Sequence, residues 1–152
     1  ISRWKIRDES AGGLSLVWDE KAPTHVRVGD LLGLLDEDTN QWRAAVARWL
    51  KSEDVTHMEV GVEMLAPSIK PVAVRSIPEG SNIPARAVQA LLLPAVAALH
   101  QPATLLVTPG FSQAGNDIYL LTGDEKPRRV RVMRVLERSG AFEQILFVDS
   151  TR

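Results

Sequence analysis

Residues 7–13, with the sequence RDESAGG, decide how the first half of the chain is interpreted. They lie between two strand-like segments, one carrying Trp4 and Ile6 and one beginning at Leu14 with LSLVW. Asp and Ser side chains hydrogen-bond nearby backbone groups in tight loops. Glycine adopts positive φ readily and lets a ligand approach the backbone closely. The residues therefore predict a strand–loop–strand unit, and they leave open whether the loop binds a ligand or only stabilises its own turn.

The strand that precedes this loop has a regular alternation. It predicts one face with Trp4, Ile6 and Asp8, and an opposite face with Arg3, Lys5 and Arg7. Further along, HMEVGVEML alternates apolar and polar side chains from residue 57 to residue 65, which indicates a strand with one buried face and one solvent-exposed face. Most of the chain shows this period of two. The sequence therefore predicts a mainly β protein.

Composition restricts the classes of protein that this chain can belong to. Its 152 residues suit one ordinary domain or two small ones, and the net charge of −1 gives no overall attraction to nucleic acid or to an anionic membrane. There is no cysteine, which excludes disulfides and thiolate chemistry and is consistent with a reducing compartment, so we predict a cytoplasmic protein. The longest apolar run, residues 90–99, contains Pro94 and has about half the length that a bilayer requires, so no membrane insertion is predicted. The chain opens on Ile1 rather than Met, and we expect it to be a fragment of a longer protein.

Turn-forming residues divide the chain near its middle. Residues 78–84, PEGSNIP, are the best boundary, and they predict a β-barrel unit over residues 1–77 and a second, barrel-like β unit over residues 78–152. The segment after the boundary, ARAVQALLL, is ambiguous. It predicts either one short helix near residues 84–93, because Ala and Leu favour helix, or a buried strand.

A weak internal repeat supports two related units. Residues 28–52 can be laid on residues 114–139, so that Gly29 corresponds to Gly115 and Leu34 to Leu120 at a constant spacing of 86 residues. Each copy reads as strand, polar turn, strand. A hairpin buries one face only and needs further strands to close a core, so the repeat predicts two small antiparallel barrels. The loop residues do not repeat, since Asp8 and Ser10 correspond to Pro94 and Val96.

The first unit carries a recognisable loop signature. Asp8, Ser10 and Gly13 form Asp-x-Ser-x-x-Gly, and RVGDLLGLL, AVARWL and VGVEML follow in order. In these features residues 2–75 resemble the PilZ domain, a six-stranded bacterial β-barrel that typically binds cyclic di-GMP. The resemblance implies that Asp8 accepts hydrogen bonds from guanine, that Ser10 contacts base or phosphate, and that Gly12 and Gly13 leave room for the ligand.

The resemblance also implies two arginines spaced four apart, which grip phosphate and stack on guanine in that family. Arg3 and Arg7 have this spacing, but Arg7 directly adjoins Asp8 and both lie in the predicted first strand. A solvated basic face is the alternative role for the two residues. The family's arginine element then either precedes Ile1 or has been lost.

Other sites that the sequence suggests have simpler explanations. DEDTN, residues 36–40, resembles the start of a calcium loop but has Gln41 where glycine is required, so it predicts a hairpin turn. KPRRVRVMR, residues 126–134, predicts a charged strand face rather than a phosphate site. No nucleophile–base pattern, metal motif or cofactor motif is present, so we predict neither enzyme, metal nor cofactor.

Two functions follow from the sequence. The first is a cyclic di-GMP-binding regulatory domain of a bacterial signalling protein. The alternative is a PilZ-like, tandem-barrel module that binds a protein partner and no nucleotide. A homo-oligomer is compatible with both, nucleic acid is not an expected partner, and the sequence does not identify the protein partner.

Overall fold

The computed structural model describes residues 4–10, 12–19, 25–54, 57–77, 80, 85–111, 113–123 and 125–150. Within these residues the chain forms antiparallel strands and a single 3-10 turn at Ala97–Leu99. The strands are β1 Lys5–Glu9, β2 Gly13–Asp19, β3 Leu31–Asp36, β4 Gln41–Asp54, β5 His57–Ala66, β6 Lys70–Ser76, β7 Val88–Leu93, β8 Thr104–Val107, β9 Asp117–Leu121, β10 Arg128–Arg138 and β11 Glu143–Asp149. Described residues contain no helix long and apolar enough to span a bilayer.

The first unit, residues 1–68, contains a five-stranded sheet in the order β1-β2-β5-β4-β3. One face of this sheet carries its buried core, because side chains of the inner strands alternate and every second one points to the same side. The Trp4 and Trp18 rings, 5.2 Å apart, pack at one end of this layer. The buried members of the core are Leu16, Trp18, Ala45, Ala47, Met58, Val60 and Val62. We call the opposite side of this sheet the outer face.

The second unit, residues 69–152, is a closed barrel with the strand order β10-β11-β8-β7-β6-β9. Its interior is filled by branched aliphatic residues, which suit a pleated surface that is buried on one side. The completely buried side chains include Val74, Leu105, Ile118, Leu120, Val130, Val132 and Ile145.

The mainly β class and a six-stranded antiparallel barrel are confirmed, but the strands are distributed differently from the expectation. The six strands close in the second unit, whereas the described residues of the first unit form five. The reason is β6, which was assigned to the first unit and instead pairs with β7 and β9. The division between units therefore falls between Ser68 and Ile69, nine residues before the predicted boundary.

Residues 88–93 form strand β7, not the short helix that was one of the two expectations for residues 84–93. The strand pairs with β6 on one side and β8 on the other. Ala90, which is buried, and Leu92, which is partly buried, pack in the core of the barrel. The helix propensity of Ala and Leu amounts to tenths of a kcal/mol per residue and is outweighed by pairing and burial on this scale.

The predicted repeat corresponds to two hairpins, β3–β4 and β9–β10. Both begin after a glycine with positive φ, Gly29 at 94° and Gly115 at 91°. The N–H of Gly29 donates to the Ala47 carbonyl at 2.8 Å, and the N–H of Gly115 donates to the Val132 carbonyl at 2.7 Å. The two hairpins therefore start with the same local geometry. Their registers differ by one residue, since Leu31 pairs with Val46 and Asp117 pairs with Arg131.

Candidate functional site

The RDESAGG segment forms the corner between β1 and β2. The backbone N–H of Ser10 donates to the Gly13 carbonyl at 2.9 Å, and the Ser10 hydroxyl lies 3.4 Å from the same oxygen. The Gly12 carbonyl accepts a hydrogen bond from Met64 N–H at 3.0 Å, which ties the corner to β5. Backbone bonds therefore fix the position of the corner, while Ser10 itself stays exposed.

The two glycines of this corner differ in what surrounds them. Neither has a positive φ, so the conformational freedom expected of them is not used here. A Cβ on Gly13 would lie within 3.0 Å of the Val62 carbonyl oxygen, whereas a Cβ on Gly12 would meet nothing within 4 Å. Gly13 is thus required by the close approach of β2 to β5. Gly12 leaves open space at the surface.

A β-bulge at Arg7 changes the face on which Asp8 lies. Ile6 pairs with Leu16, but Asp8 pairs with Ser15, so one extra residue is accommodated in β1 between the two pairs. Bulges turn the following side chains to the other side of a sheet. The prediction that Asp8 shares a face with Ile6 is therefore wrong. Asp8 lies on the outer face, is exposed, and has no side-chain hydrogen bond among the described residues.

Glu59 connects Arg7 with β2 on the outer face. The Arg7 Nη1 atom lies 3.1 Å from Glu59 Oε2, and the Ser15 hydroxyl donates to Glu59 Oε1 at 2.7 Å. The Arg7 side chain is 62% exposed, whereas that of Glu59 is only 17% exposed. Arg7 is therefore anchored through its guanidinium by Glu59 while most of its side chain is exposed to solvent. Arg3, the other arginine of the predicted pair, lies outside the described residues.

An aromatic ring continues this surface on β4. Trp49 is 41% exposed, and its indole occupies the space where a Cβ of Gly61 would be. Lys51 Nζ lies 5.9 Å from the centre of the Trp49 ring. Because Gly61 has no side chain, the indole packs against the backbone there, and Trp49 remains partly exposed to solvent.

The register aligns these residues into a single row across four strands. Asp8 of β1 pairs with Ser15 of β2, Ser15 pairs with Gly61 of β5, and Gly61 pairs with Trp49 of β4. We call these four residues the outer row. With strands about 4.8 Å apart, the row is about 14 Å long from end to end. It has an exposed carboxylate at one end and a partly exposed aromatic ring at the other, while the Ser15 hydroxyl between them is buried and bonded to Glu59.

Sequence reasoning found part of this row and missed the rest. Asp8 was identified from the loop signature, and the alternation of HMEVGVEML already placed Glu59 and Gly61 on a wet face. Ser15 and Trp49 were not proposed as site residues. Their position beside Asp8 depends on the strand register and on the bulge at Arg7, which the local sequence pattern does not reveal.

The second unit has a separate cluster of charges around Asp117. Arg129 Nε and Arg131 Nε donate to its two carboxylate oxygens at 2.8 and 2.9 Å, and the Ser150 hydroxyl lies 3.1 Å away. Burial alone would raise the pKa of Asp117, but the hydrogen bonds from the two arginines and the serine outweigh burial and lower it. These arginines share one strand face, as predicted, and their charges are partly neutralised by Asp117.

Glu143 is a second buried carboxylate in the barrel. Its Oε1 atom accepts a hydrogen bond from Gly110 N–H at 3.2 Å and lies 3.3 Å from Arg138 Nε. Its Oε2 atom is buried and has no partner among the described residues. This carboxylate joins the β8–β9 loop to the start of β11, which is a structural role.

The predicted hairpin turn at residues 36–40 is confirmed. Asp36 Oδ1 accepts the N–H of Asp38 at 2.9 Å, and Asn40 has a positive φ of 55°. The hydrogen bond from Asp38 N–H lowers the pKa of Asp36. The Asp36 side chain therefore closes the turn by accepting hydrogen bonds from the backbone N–H groups of Asp38 and Thr39.

Comparisons with known proteins match both halves of the chain. Residues 1–71 match the model of the middle PilZ domain of the cyclic-di-GMP receptor FimW, and residues 72–150 match the model of the FimW C-terminal β-barrel domain. A curated relative described as cyclic-di-GMP receptor FimW, from Pseudomonas aeruginosa, is 32% identical over 140 residues. The matched region covers 91% of this chain and 23% of the relative, so the chain spans about a quarter of the relative's length. No solved structure matches the chain.

Proposed function

The chain belongs to the FimW family, which confirms its resemblance to PilZ, and from this membership we propose that it is a regulatory receptor domain that binds cyclic di-GMP. The nucleotide would bind on the outer face of the first unit. One observation carries the proposal: Asp8, the acidic residue of the loop signature, stands exposed on that face at the end of the outer row.

Asp8 has the chemistry to read a guanine. The Watson–Crick edge of guanine presents two neighbouring N–H donors, and a carboxylate has two oxygens that accept them. The bulge at Arg7 exposes this carboxylate on the outer face. Ser10 lies in the adjoining corner, where its hydroxyl can exchange the 3.4 Å contact with Gly13 for a shorter bond to base or phosphate. Gly12 leaves open space beside it.

Arg7 supplies the positive charge that a cyclic dinucleotide requires. Its side chain is 62% exposed, and only one guanidinium nitrogen contacts Glu59, which leaves donors for phosphate oxygens. A phosphate would compete with Glu59 for Arg7. Because salt screens the attraction between the exposed guanidinium and the phosphate, nucleotide binding would depend on the salt concentration. Arg3 has the spacing of the family's second arginine and would add another guanidinium.

Trp49 supplies a stacking surface for a purine ring. Its indole packs on Gly61 and is partly exposed, and Lys51 adds positive charge beside it. Stacking of a base on an aromatic side chain contributes about 1–3 kcal/mol. The outer row thus combines hydrogen-bond reading at Asp8 with stacking at Trp49.

The proposed role is that of a receptor without catalysis or cofactor. Binding would act through a basic arm that closes over the nucleotide and becomes ordered, since a ligand shifts a protein toward the state that it binds better. The second unit, in which the loop signature does not recur, would pack against or recruit other proteins. We place the receptor in the cytoplasm, in keeping with a chain that contains no cysteine.

Calorimetry with cyclic di-GMP tests the proposal, on the 152-residue chain and on the longest form of the protein in which it occurs. We expect saturable binding that falls at least tenfold in Asp8→Ala and in Ser10→Ala, with both variants folded. Asp38→Ala is the matched control, because it removes an exposed acidic side chain from the β3–β4 turn, away from the outer row. An absence of binding by the longest form, or an equal loss in Asp8→Ala and Asp38→Ala, would overturn the proposal.

The second candidate function is a protein-interaction module that binds no nucleotide. It is favoured by the contacts that already occupy two of the predicted residues, Ser10 with the Gly13 carbonyl and Arg7 with Glu59. Calorimetry distinguishes the two functions. The module predicts no heat with cyclic di-GMP from any form of the protein.

A further inference from the structure

Strand β3 is an edge of the first unit's sheet, and within the part of the chain that the structure describes it lacks the features that usually protect such an edge. Among the described residues it pairs with β4 alone, and no bulge interrupts that pairing. Its first five residues are LLGLL, with neither a charge nor a proline. Exposed edge strands offer unpaired N–H and C=O groups, and proteins normally block them with Lys, Pro, bulges or a covering segment.

The backbone groups that face this open edge can be identified from the ladder. The Asp30 carbonyl accepts the N–H of Ala47 at 3.0 Å, so residue 30 directs its carbonyl toward β4. Orientation alternates along an antiparallel strand, and residues 32, 34 and 36 therefore also bond to β4. The N–H and C=O groups of Leu31, Gly33 and Leu35 point the other way, to the edge.

The sequence of this edge is the same in both directions around Gly33. LLGLL is a palindrome, and an antiparallel pair of identical strands related by a twofold axis at Gly33 places every residue opposite an apolar residue or glycine. We propose that the chain forms a homodimer in which β3 pairs with β3 of a second copy, joining the two five-stranded sheets into one. The bonds would link Leu31 with Leu35 of the second copy, and Gly33 with its own equivalent.

Both faces of the joined sheet would gain apolar contacts. Leu32 and Leu34, which pack partly buried against the core, would lie opposite Leu34 and Leu32 of the second copy and extend the core layer across the axis. On the outer face, Leu35 is 37% exposed and its neighbour Trp42 is 42% exposed, with the Trp42 ring lying against Gly33. Pairing with Leu31 of the second copy would cover both side chains.

Two acidic residues mark the ends of the proposed ladder. In this register Asp36 comes opposite Asp30 of the second copy, and like charges across a strand pair are unfavourable. Asp30 binds Arg27 N–H and Asp36 binds Arg43, which partly offsets that repulsion. The dimer should therefore be strengthened by salt, in contrast to binding that depends on attraction between opposite charges. It does not depend on the proposed nucleotide site, which involves other strands.

Paired double substitutions test the register. Leu31→Glu/Leu35→Lys places Glu opposite Lys across the twofold, whereas Leu31→Lys/Leu35→Lys places Lys opposite Lys. Light scattering on the 152-residue chain should give twice the monomer mass of 16.7 kDa at high concentration for the wild type and for the Glu/Lys variant. The Lys/Lys variant should be a monomer and should pair with an added Leu31→Glu/Leu35→Glu chain. A wild type that stays monomeric at about 1 mM, which means a Kd weaker than about 1 mM, overturns the proposal. Equal masses for the Glu/Lys and Lys/Lys variants also overturn it.

Cross-linking gives a second measurement that leaves the surface nearly unchanged. The chain has no cysteine, so single Leu31→Cys and Leu35→Cys chains each carry one thiol. Facing residues of a hydrogen-bonded antiparallel pair have Cα atoms about 5.5 Å apart, within reach of a disulfide. Mild oxidation of a mixture of the two chains should cross-link them, while either chain alone should not cross-link. Equal cross-linking in the mixture and in the separate chains would contradict the proposed register.

Discussion

Replacing Gly13 by alanine should destabilise the first unit even though Gly13 belongs to the ligand-loop signature. The added Cβ would lie within 3.0 Å of the Val62 carbonyl oxygen, and real Cβ atoms essentially never come so close to another atom. The obstacle is backbone, so it cannot rotate away, and β2 must move from β5 by several tenths of an ångström. Overpacking of this kind costs about 1–3 kcal/mol.

Tryptophan fluorescence measures this cost in the relevant unit. All four tryptophans lie between residues 4 and 49, so their emission follows unfolding of the first unit and not of the barrel. For a unit of 68 residues, the loss corresponds to a Tm lower by roughly 5–20 °C. Gly12→Ala is the matched control. Its Cβ meets nothing within 4 Å and its φ is not positive, so its Tm should stay within about 2 °C of the wild type.

Comparing Gly13→Ala with Gly12→Ala also distinguishes a glycine that the fold requires from a glycine that leaves space for the ligand. Gly13→Ala should lower Tm with or without cyclic di-GMP, because the clash is present in both states. Gly12→Ala should leave Tm unchanged and reduce only nucleotide affinity, because it fills space beside Asp8 and Ser10. Equal stability of the two variants would refute the argument that Gly13 is required by the approach of β2 to β5.

Three further predictions follow from named contacts. Trp49→Ala should weaken cyclic di-GMP binding about tenfold, measured by calorimetry, with the Tm of the barrel unchanged, because a stacking surface of about 1–3 kcal/mol is removed. Gly61→Ala should displace the Trp49 indole and weaken binding to a similar extent, visible as a shift in tryptophan emission; unchanged emission and affinity would contradict the stacked arrangement. Asp117→Asn should destabilise the barrel by about 1–3 kcal/mol at pH 7, measured by denaturant unfolding followed by circular dichroism. Because the pKa of Asp117 is lowered on folding, its contribution is present above the ordinary value of 3.8 and lost as the pH falls through the folded value. The variant's deficit should therefore shrink below about pH 3.8, and a deficit independent of pH would contradict the assignment.

Much of the fold could be predicted from local pattern, because strand alternation and turn chemistry are written in neighbouring residues. The hairpins β3–β4 and β9–β10 and the Asp36 turn follow from such signals. The assignment of β6 could not be predicted this way, since the sequence PVAVRSI, residues 71–77, has the same alternating pattern whichever of the two units it joins. Pairing with β7 and β9, which come later in the chain, determines where it belongs.

The site divides in a similar way. Asp8, Ser10 and the glycines were identified from a loop signature, but the face on which Asp8 lies depends on one extra residue in β1 that no periodicity reveals. Trp49 lies in the same row because it pairs with Gly61, and Gly61 in turn pairs with Ser15. Such a row is a property of register across four strands. Local sequence does not encode it directly.

An amide NMR titration of the chain with cyclic di-GMP would decide whether the outer face is the nucleotide site. Chemical shifts respond even to weak binding, so the titration works on the 152-residue chain itself. We expect shifts at the amides of residues 8–13 and at the indole N–H of Trp49, with the amides of the barrel strands unaffected. Shifts confined to the barrel, for example near Arg129 and Arg131, or no shifts at millimolar nucleotide, would contradict this expectation.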